Sequence, residues 1–370
     1  MNEEALRVTY RLRTSAEGAV QRARTLALEQ SIELPIEAVA DARVLREVVA
    51  CVESVAPQPD GSALAQLALS AESIGGDAGQ LLNMLFGNSS LHGDVEVAAV
   101  QLPPSMAASF GGPALGIEGI RNLARAPRRA LTCTALKPIG SAVADLARMT
   151  GVFADAGIDV IKDDHGWSAR ASASFEQRVT ACQREVERAN RGRSGQTLYA
   201  PALSGPFEAL RRQVHFARDQ GVQAMLVTPM IAGVANFHAL RHEFREIAFL
   251  AHPALAGNQM APEALLGTLF RVFGADAVIF PNHGGRFSYS RATCQRIANC
   301  LREPRPGLRP ALPVPAGGMA VERVPEIVAD YGVDSMLLVG GSLLLARDQL
   351  AVRSREFVEA VAMASGAMTA

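Results

Sequence analysis

Eight short apolar runs follow one another along the larger, carboxy-terminal part of the chain, and each precedes a stretch long enough for a helix. The runs are residues 131–135, 160–162, 197–201, 224–228, 249–251, 277–280, 314–316 and 335–339. Continuous apolar runs of this length are typical of parallel strands buried on both faces. Alternating with helices, they predict a closed (β/α)8 barrel. The alternative is a doubly wound open sheet, which would carry its glycine-rich turn after the first strand, whereas the glycine pairs here lie near the end of the chain.

The first hundred or so residues follow a different pattern. Its parts are an alternating strand at residues 8–12, a helical segment at 16–30 and apolar stretches at 63–74 and 81–86. This mixture predicts a small α+β domain. Pro, Gly and Ser collect at residues 103–113, a composition typical of a connection. We therefore predict an α+β domain over residues 1–112 and a barrel catalytic domain over residues 113–370.

Composition narrows the class of ligand. The chain has 370 residues, 49% of them hydrophobic, with 36 basic and 37 acidic side chains and a formal net charge of −1. A chain with no excess of positive charge and only 5% aromatic residues is not expected to bind nucleic acid. A small molecule is the expected ligand.

Other features concern the cell compartment. The chain begins with the acidic segment Met1-Asn2-Glu3-Glu4, unlike a signal peptide, and contains no apolar stretch of the length that spans a bilayer. Its five cysteines are an odd number, are widely spaced and include no Cys-x-x-Cys pair. This pattern is more typical of reduced thiols than of a disulfide framework. We expect a cytoplasmic protein without membrane contact.

The positions directly after the predicted strands carry candidate chemistry. They hold Lys137 after the first strand, residues 162–165 after the second, His252 after the fifth, Asn282 to Arg286 after the sixth, Gly317-Gly318 after the seventh and Gly340-Gly341 after the eighth. In a (β/α)8 barrel these positions meet at one mouth, which is where such barrels place their active sites. The loops after the last two strands form the recurring phosphate site of this architecture, since glycine lets backbone N–H groups approach a phosphate. A phosphorylated substrate is the resulting hypothesis, and the alternative is that the glycines only permit tight turns.

The cluster at residues 162–165 has two interpretations. Lys162 and Asp164 share a face of an extended strand, so they could form a buried ion pair. Asp164 and His165 could instead hold a divalent ion if the strand bends into a loop at that point. Local pattern does not decide between them.

Several of these motifs, in this order, resemble the large-chain family of ribulose bisphosphate carboxylase, and specifically its non-carboxylating, form IV members. The resemblance rests on the strand at residues 8–12, Glu29, Gly87-Asn88, Leu136-Lys137-Pro138, residues 161–165, His252, and the two glycine pairs. It implies a ferredoxin-like α+β domain before the barrel, and a homodimer in which the partner's amino-terminal domain completes each active site. Glu29 and Asn88 would be those partner contributions to substrate binding.

The resemblance also implies a metal site. The family's signature lysine takes up CO2 as a carbamate that holds Mg²⁺ together with two acidic residues. Lys162 would be the carbamylated ligand and Asp164 the second, while His165 stands where the family has glutamate. An imidazole removes one negative charge and is a softer ligand, so Mg²⁺ should bind more weakly and another divalent ion relatively better.

Two further departures bear on the reaction. Ile139 replaces the second lysine of the strand-one motif, and the loop after strand six lacks the lysine of true carboxylases. We therefore expect no CO2 fixation. The reaction that remains is enolisation or isomerisation of a phosphorylated ketose, such as the methylthio-sugar phosphates of methionine salvage, through a metal-stabilised enediolate. Lys137 would be the base, His252 a polariser or second acid, and Arg286 an anion clamp.

Three other functional hypotheses remain open. One is cleavage of the carboxylate from a phosphorylated 3-oxo sugar acid of the 3-oxo-isoapionate 4-phosphate type. Another is a catalytically inactive binding or regulatory homologue. The third is a metal-free aldolase that uses Lys137 or Lys162 as a Schiff-base nucleophile.

Overall fold

The computed structural model describes residues 4–167, 174–257, 259–287 and 289–366. Its strands form two sheets, a four-stranded antiparallel sheet near the amino terminus and an eight-stranded parallel sheet. The predicted fold class, a (β/α)8 barrel preceded by a small ferredoxin-like domain, is confirmed.

The small domain has the order of elements expected of a ferredoxin-like fold. Its strands are β1 (Leu6–Leu12), β2 (Cys51–Pro57), β3 (Ala63–Leu69) and β4 (Val95–Gln101), and its helices are α1 (Ala16–Glu29), α2 (Ala42–Glu47) and α3 (Ala78–Phe86). The strands lie in the order β2-β3-β1-β4. Buried and partly exposed side chains alternate along β1 and β3, so one face of the sheet forms the core of this domain.

The barrel strands follow the eight apolar runs closely. They are β5 (Leu131–Leu136), β6 (Val160–Asp163), β7 (Leu198–Ala200), β8 (Ala224–Val227), β9 (Ala248–Ala251), β10 (Ala277–Pro281), β11 (Leu312–Ala316) and β12 (Met336–Leu338). Their order is β7-β6-β5-β12-β11-β10-β9-β8, and a parallel bridge between Ala202 and Leu226 joins its two ends. All eight runs are strands because their side chains are buried on both faces.

Helices precede, separate and follow these strands. They are α4 (Pro104–Phe110), α5 (Gly116–Ala124), α6 (Val143–Asp155), α7 (Phe175–Asn190), α8 (Phe207–Asp219), α9 (Pro229–Ala232), α10 (Val234–Glu243), α11 (Phe270–Val272), α12 (Arg291–Arg302), α13 (Val324–Tyr331), α14 (Gly341–Leu344) and α15 (Leu350–Ala364). Short 3-10 helices occur at Ile36–Ala38, Asn88–Leu91, Val321–Arg323 and Arg347–Gln349, and a π-helix at Glu263–Leu269. None of the helices within the described ranges is both long and apolar enough to cross a membrane.

The stretch predicted to be only a connection, residues 103–113, contains helix α4. Its composition misled the prediction because the special residues sit at the two ends of the helix. Pro104 occupies the first turn, where a missing N–H costs nothing, and Gly111 caps the carboxyl end with a left-handed φ of 75°.

A buried ion pair joins the start of α5 to the barrel. Asp276 is fully buried and accepts hydrogen bonds from the backbone N–H groups of Leu115 and Gly116, both at 2.8 Å. Its other carboxylate oxygen accepts from Arg241 and from the Phe249 N–H, each at 2.9 Å. One carboxylate therefore fixes the entry to α5 against β9 and α10.

Replacing Asp276 with Asn should lower the free energy of unfolding by about 3 kcal/mol, because Arg241 would stay buried without its counter-charge. Urea denaturation measures this difference. The matched control is Asp219→Asn, which removes the exposed partner of Arg218 and should cost less than about 1 kcal/mol. A similarly small loss at Asp276 would contradict this account of the packing.

Candidate active site

Five residues selected from the sequence lie together at the mouth of the barrel. Lys137 directly follows β5, Lys162 lies in β6 with Asp164 and His165 after it, and His252 directly follows β9. The Lys137 Nζ donates to Asp164 Oδ2, and His165 Nδ1 lies 2.9 Å from Asp164 Oδ1. The rings of His165 and His252 stack with centroids 3.9 Å apart and planes 13° apart. The Asp164 carboxylate is thus the centre of the cluster.

The environment of Asp164 keeps it ionised. Burial by itself would raise the pKa of this carboxyl group, but hydrogen bonds from His165 and Lys137 outweigh burial and lower the pKa well below its ordinary value. The side chain is only 6% exposed. The site therefore holds a permanent negative charge that two neighbouring side chains share.

Lys162 differs from Asp164, because burial outweighs the effect of its neighbours and leaves it a cation without a full counter-charge. Its Nζ donates to the backbone carbonyl of Asp163 at 2.9 Å, and the residue is 4% exposed. Burial lowers the pKa of Lys162 more than the nearby Asp164 raises it. A larger fraction of this amine is therefore neutral than in an exposed lysine, and only the neutral amine is a nucleophile.

His252 is held as a neutral ring. Burial, followed by the charge of Lys162, lowers the pKa of this imidazole from its ordinary 6.5 to about 2. The Ala254 N–H donates to His252 Nδ1 at 3.2 Å, so the proton of the neutral ring is on Nε2. His252 therefore offers an N–H donor at neutral pH.

Asp163 points away from the mouth, and the sequence did not reveal its role. It accepts hydrogen bonds from Arg178 Nε and Tyr199 OH, both at 2.7 Å, and from the Ala202 N–H at 3.0 Å. Asp163 is fully buried and Arg178 is 2% exposed. Because successive side chains alternate along a strand, fixing Asp163 outward turns Lys162 toward the barrel interior. The alternation of side chains along β6 could have predicted this outward position, because Asp163 lies between the two candidate residues Lys162 and Asp164.

The donor set at the mouth bears on the choice between a metal and an ion pair. Asp164 supplies a carboxylate and His165 an imidazole, whereas Lys162 as an amine supplies no anionic oxygen. In the structure Asp164 pairs with Lys137, not with Lys162. The residues would fit a divalent ion only if a carbamate on Lys162 added a second oxygen ligand.

The two glycine pairs differ in what they require. Gly317 and Gly318 have φ values of 80° and 67°, and a β-carbon at Gly318 would lie 2.3 Å from the Cα of Gly285. Backbone packing therefore accounts for glycine at residue 318. By contrast, a β-carbon at Gly340 or Gly341 would meet nothing within 4 Å, so this turn borders open space.

The remaining candidates lie outside the cluster. Arg286 is exposed, with its guanidinium carbon 4.9 Å from the centre of the Phe287 ring. Glu29 ends α1 and Asn88 begins a 3-10 helix, both in the small domain. Among the described residues, no hydrogen bond or ion pair connects Glu29 or Asn88 with the barrel-mouth cluster.

A residue count gives the cluster further weight. The chain has 36 basic residues, and only two of them, Lys137 and Lys162, are lysines. Every other basic position is arginine, which cannot lose its proton in a protein. The two lysine amines of the chain therefore both lie at the barrel mouth.

Known proteins share this chain's sequence and fold. Residues 116–277 match the family model of the ribulose bisphosphate carboxylase large chain, catalytic domain. The chain is 48% identical over 367 residues to a 5-methylthioribulose-1-phosphate isomerase of Rhodospirillum rubrum, covering 98% of this chain and 97% of that protein. It is 31% identical over 293 residues to a 2,3-diketo-5-methylthiopentyl-1-phosphate enolase of Geobacillus kaustophilus, covering 76% and 70%.

The fold is similarly close to a solved structure. The crystal structure of a Rubisco-like protein from Rhodopseudomonas palustris superposes with a TM-score of 0.90 at 44% identity, covering 97% of this chain and 98% of that one.

Proposed function

Because the chain belongs to the ribulose bisphosphate carboxylase large-chain family, among its Rubisco-like proteins, we propose that it isomerises a phosphorylated ketose by enolisation and fixes no CO2. The observation that carries this proposal is that the only two lysines of the chain lie at one barrel mouth, where Asp164 binds Lys137. The substrate class follows from the relative of Rhodospirillum rubrum, an isomerase of 5-methylthioribulose 1-phosphate that matches nearly the whole chain. The enolase of Geobacillus kaustophilus matches less of it at lower identity.

Lys137 is the proposed base. In its amine form it takes a proton from the carbon beside the ketone, and the electron pair of that C–H bond moves to the carbonyl oxygen to give an enediolate. The resulting ammonium returns a proton to the former carbonyl carbon, and the proton of the neighbouring hydroxyl passes to the former carbonyl oxygen as that hydroxyl becomes the new carbonyl. The atoms of the substrate are conserved, as isomerisation requires. Lys137 is 40% exposed, so substrate can reach its Nζ.

His252 and the glycine pairs orient the substrate in this proposal. The neutral His252 ring donates from Nε2 to an oxygen of the ketose and stabilises the charge that develops there. The backbone around Gly340 and Gly341 leaves space for a phosphate, and Gly317-Gly318 forms the neighbouring turn. Arg286 supplies a positive charge on the loop beside that turn.

A carbamate on Lys162, Asp164 and His165 would hold a divalent ion, with Mg²⁺ as the first candidate. Bound there, the ion would polarise the ketone oxygen. The carbamate would form when the neutral Lys162 amine adds to CO2 and releases one proton, so that an anion stands where the protonated lysine would be a buried cation. Burial of Lys162 favours the reactive neutral amine.

A homodimer accompanies this function. Glu29 and Asn88 lie in the small domain, and the described contacts do not connect them with the cluster of their own chain. We propose that they contribute to the active site of a second subunit, as the resemblance to the carboxylase family implies.

The role of Lys137 predicts a difference between two measurements on one variant. Lys137→Arg keeps a positive charge beside Asp164 but cannot act as a base, so kcat for 5-methylthioribulose 1-phosphate should fall by about 100-fold or more while the thermal midpoint stays close to that of the parent. Lys137→Met should lose as much activity. If Lys137→Arg keeps a third of the parent kcat, Lys137 is not the base. Release of CO2 from a phosphorylated 3-oxo acid, without isomerase activity, would replace the proposal by a decarboxylase.

Carbamate formation can be observed directly because the chain has only two lysines. Under ¹³C-labelled CO2 and Mg²⁺, a carbamate signal in the ¹³C NMR spectrum is expected for the parent and for Lys137→Arg, and its loss for Lys162→Arg. A chelator should weaken the signal and abolish isomerisation, since the ion and the carbamate stabilise each other. Full activity in chelator without a carbamate signal would rule out the metal site.

A further inference from the structure

The loop that follows the sixth barrel strand packs directly on the first glycine turn. We call residues 282–287, after β10, the strand-six loop, and Gly317-Gly318, after β11, the glycine turn. A β-carbon at Gly285 would lie 2.5 Å from the carbonyl oxygen of Gly317, and one at Gly318 would lie 2.3 Å from the Cα of Gly285. Such contacts are possible only between glycines, because any side chain would force the two segments apart. The position of the glycine turn therefore depends on the position of the strand-six loop.

One arginine connects the two segments. Arg323 ends the 3-10 helix before α13, and its Nη1 donates to the carbonyl oxygens of His283 at 3.2 Å and Gly318 at 3.3 Å. Its other nitrogens contact Glu326 at 3.1 Å, which holds the guanidinium in place. A single charged group thus binds the backbone of both the strand-six loop and the glycine turn.

The first two residues of the strand-six loop also bind side chains of α13, one of which pairs with α12. The Tyr331 hydroxyl donates to Asn282 Oδ1 at 2.5 Å, and His283 Nε2 lies 2.9 Å from Asp330 Oδ2. The Asp330 side chain is 1% exposed and also accepts from Arg291 Nε at 2.8 Å. The carboxylate therefore has a partner on the loop and another on α12.

His283, Glu326 and Asp330 place three potential ligand atoms within 4.8 Å of one another, which raises the question of a metal. Arg323 already pairs with Glu326, and Arg291 with Asp330. A cation at this position would have to displace or face two guanidinium groups at close range, which is unfavourable. These three residues are better explained as a set of ion pairs and hydrogen bonds that hold the strand-six loop in place.

We infer that Arg323 and Asp330 are positioning residues that hold the strand-six loop as a fixed support for the glycine turn, and so set the affinity of this chain for the phosphate of its substrate. The inference rests on the proposed function in one respect, that the glycine turn borders the phosphate. Neither residue contacts the barrel-mouth cluster, so both act through the backbone of residues 282–285 and 317–318. Phe287, the last residue of the loop, lies about van der Waals distance from the glycine turn, 3.7 Å from a β-carbon built at Gly317.

The test uses a protease site that the loop itself contains. Trypsin cleaves after Arg286, and the rate of cleavage there reports how often the loop leaves its support. Arg323→Gln removes the charge-assisted hydrogen bonds that hold the loop, so the cleavage rate should increase at least about tenfold. The Kd for inorganic phosphate should rise about fivefold to tenfold, because the glycine turn is less often held in its binding position. The KM for the phosphorylated ketose should rise by a similar factor, with a smaller change in kcat.

Two other variants complete the design. His283→Gln loses the pairing with Asp330 but leaves Arg323 in place, and should shift both quantities in the same direction by less; it replaces Arg323→Gln if that variant does not fold. The matched control is Arg353→Gln, which loses contacts with Glu356 and with Glu322, the neighbour of Arg323 in the 3-10 helix, and which contacts neither the strand-six loop nor the glycine turn. Its cleavage after Arg286 and its phosphate affinity should equal those of the parent.

The outcomes separate the inference from the proposed function. Faster cleavage with unchanged phosphate affinity would overturn the inference, as would unchanged cleavage in Arg323→Gln. Weaker phosphate binding with unchanged cleavage would mean that Arg323 binds the anion directly and is not a positioning residue. If the parent isomerises no phosphorylated ketose while the variants still change cleavage and phosphate affinity as expected, the proposed function fails and the inference stands.

Discussion

The barrel mouth depends on the direction of one buried side chain. Asp163 lies between Lys162 and Asp164, two of the proposed metal ligands, and Arg178, Tyr199 and the Ala202 N–H fix its carboxylate on the outer side of β6. A strand turns its neighbours to the opposite face, so this anchor directs Lys162 into the barrel, and the chain beyond it brings Asp164 under Lys137. If the end of β6 turned over, Lys162 would point at helix α7, and the mouth would lose Lys162 and the Asp164 carboxylate together.

The charges at the barrel mouth depend on local contacts and burial, and not on the net charge of the protein. The net charge is −1, so the whole molecule offers no field that would attract an anionic sugar phosphate. Locally, one carboxylate faces Lys137 and His165, while burial weakens the hold of Lys162 on its proton. Two lysines among 36 basic residues fit this arrangement, because an amine can exist with or without its proton and a guanidinium cannot.

The fold was largely predictable from the sequence, because buried parallel strands leave a plain signal. Each of the eight apolar runs became a strand, and their carboxyl ends brought Lys137, Lys162, Asp164, His165 and His252 together. Helix α4 was missed because its Pro and Gly residues look like a connection when their place at the helix ends is unknown. The pairing of Asp164 with Lys137 rather than with Lys162 could not be predicted from local sequence pattern, because such a pattern relates only residues of one strand. Arg323 could not be recognised, since its partners are backbone carbonyls about 40 positions and five positions away.

The central claim is that this chain moves a proton on a phosphorylated ketose and that Lys137 carries it. The most direct measurement is mass spectrometry of 5-methylthioribulose 1-phosphate and its product after incubation with the enzyme in deuterium oxide. The account predicts that solvent deuterium enters a carbon-bound position with the parent protein, because the lysine ammonium exchanges its hydrogens with water, and that Lys137→Arg introduces none. Isomerisation by the parent without any deuterium in product or recovered substrate would contradict proton transfer through Lys137.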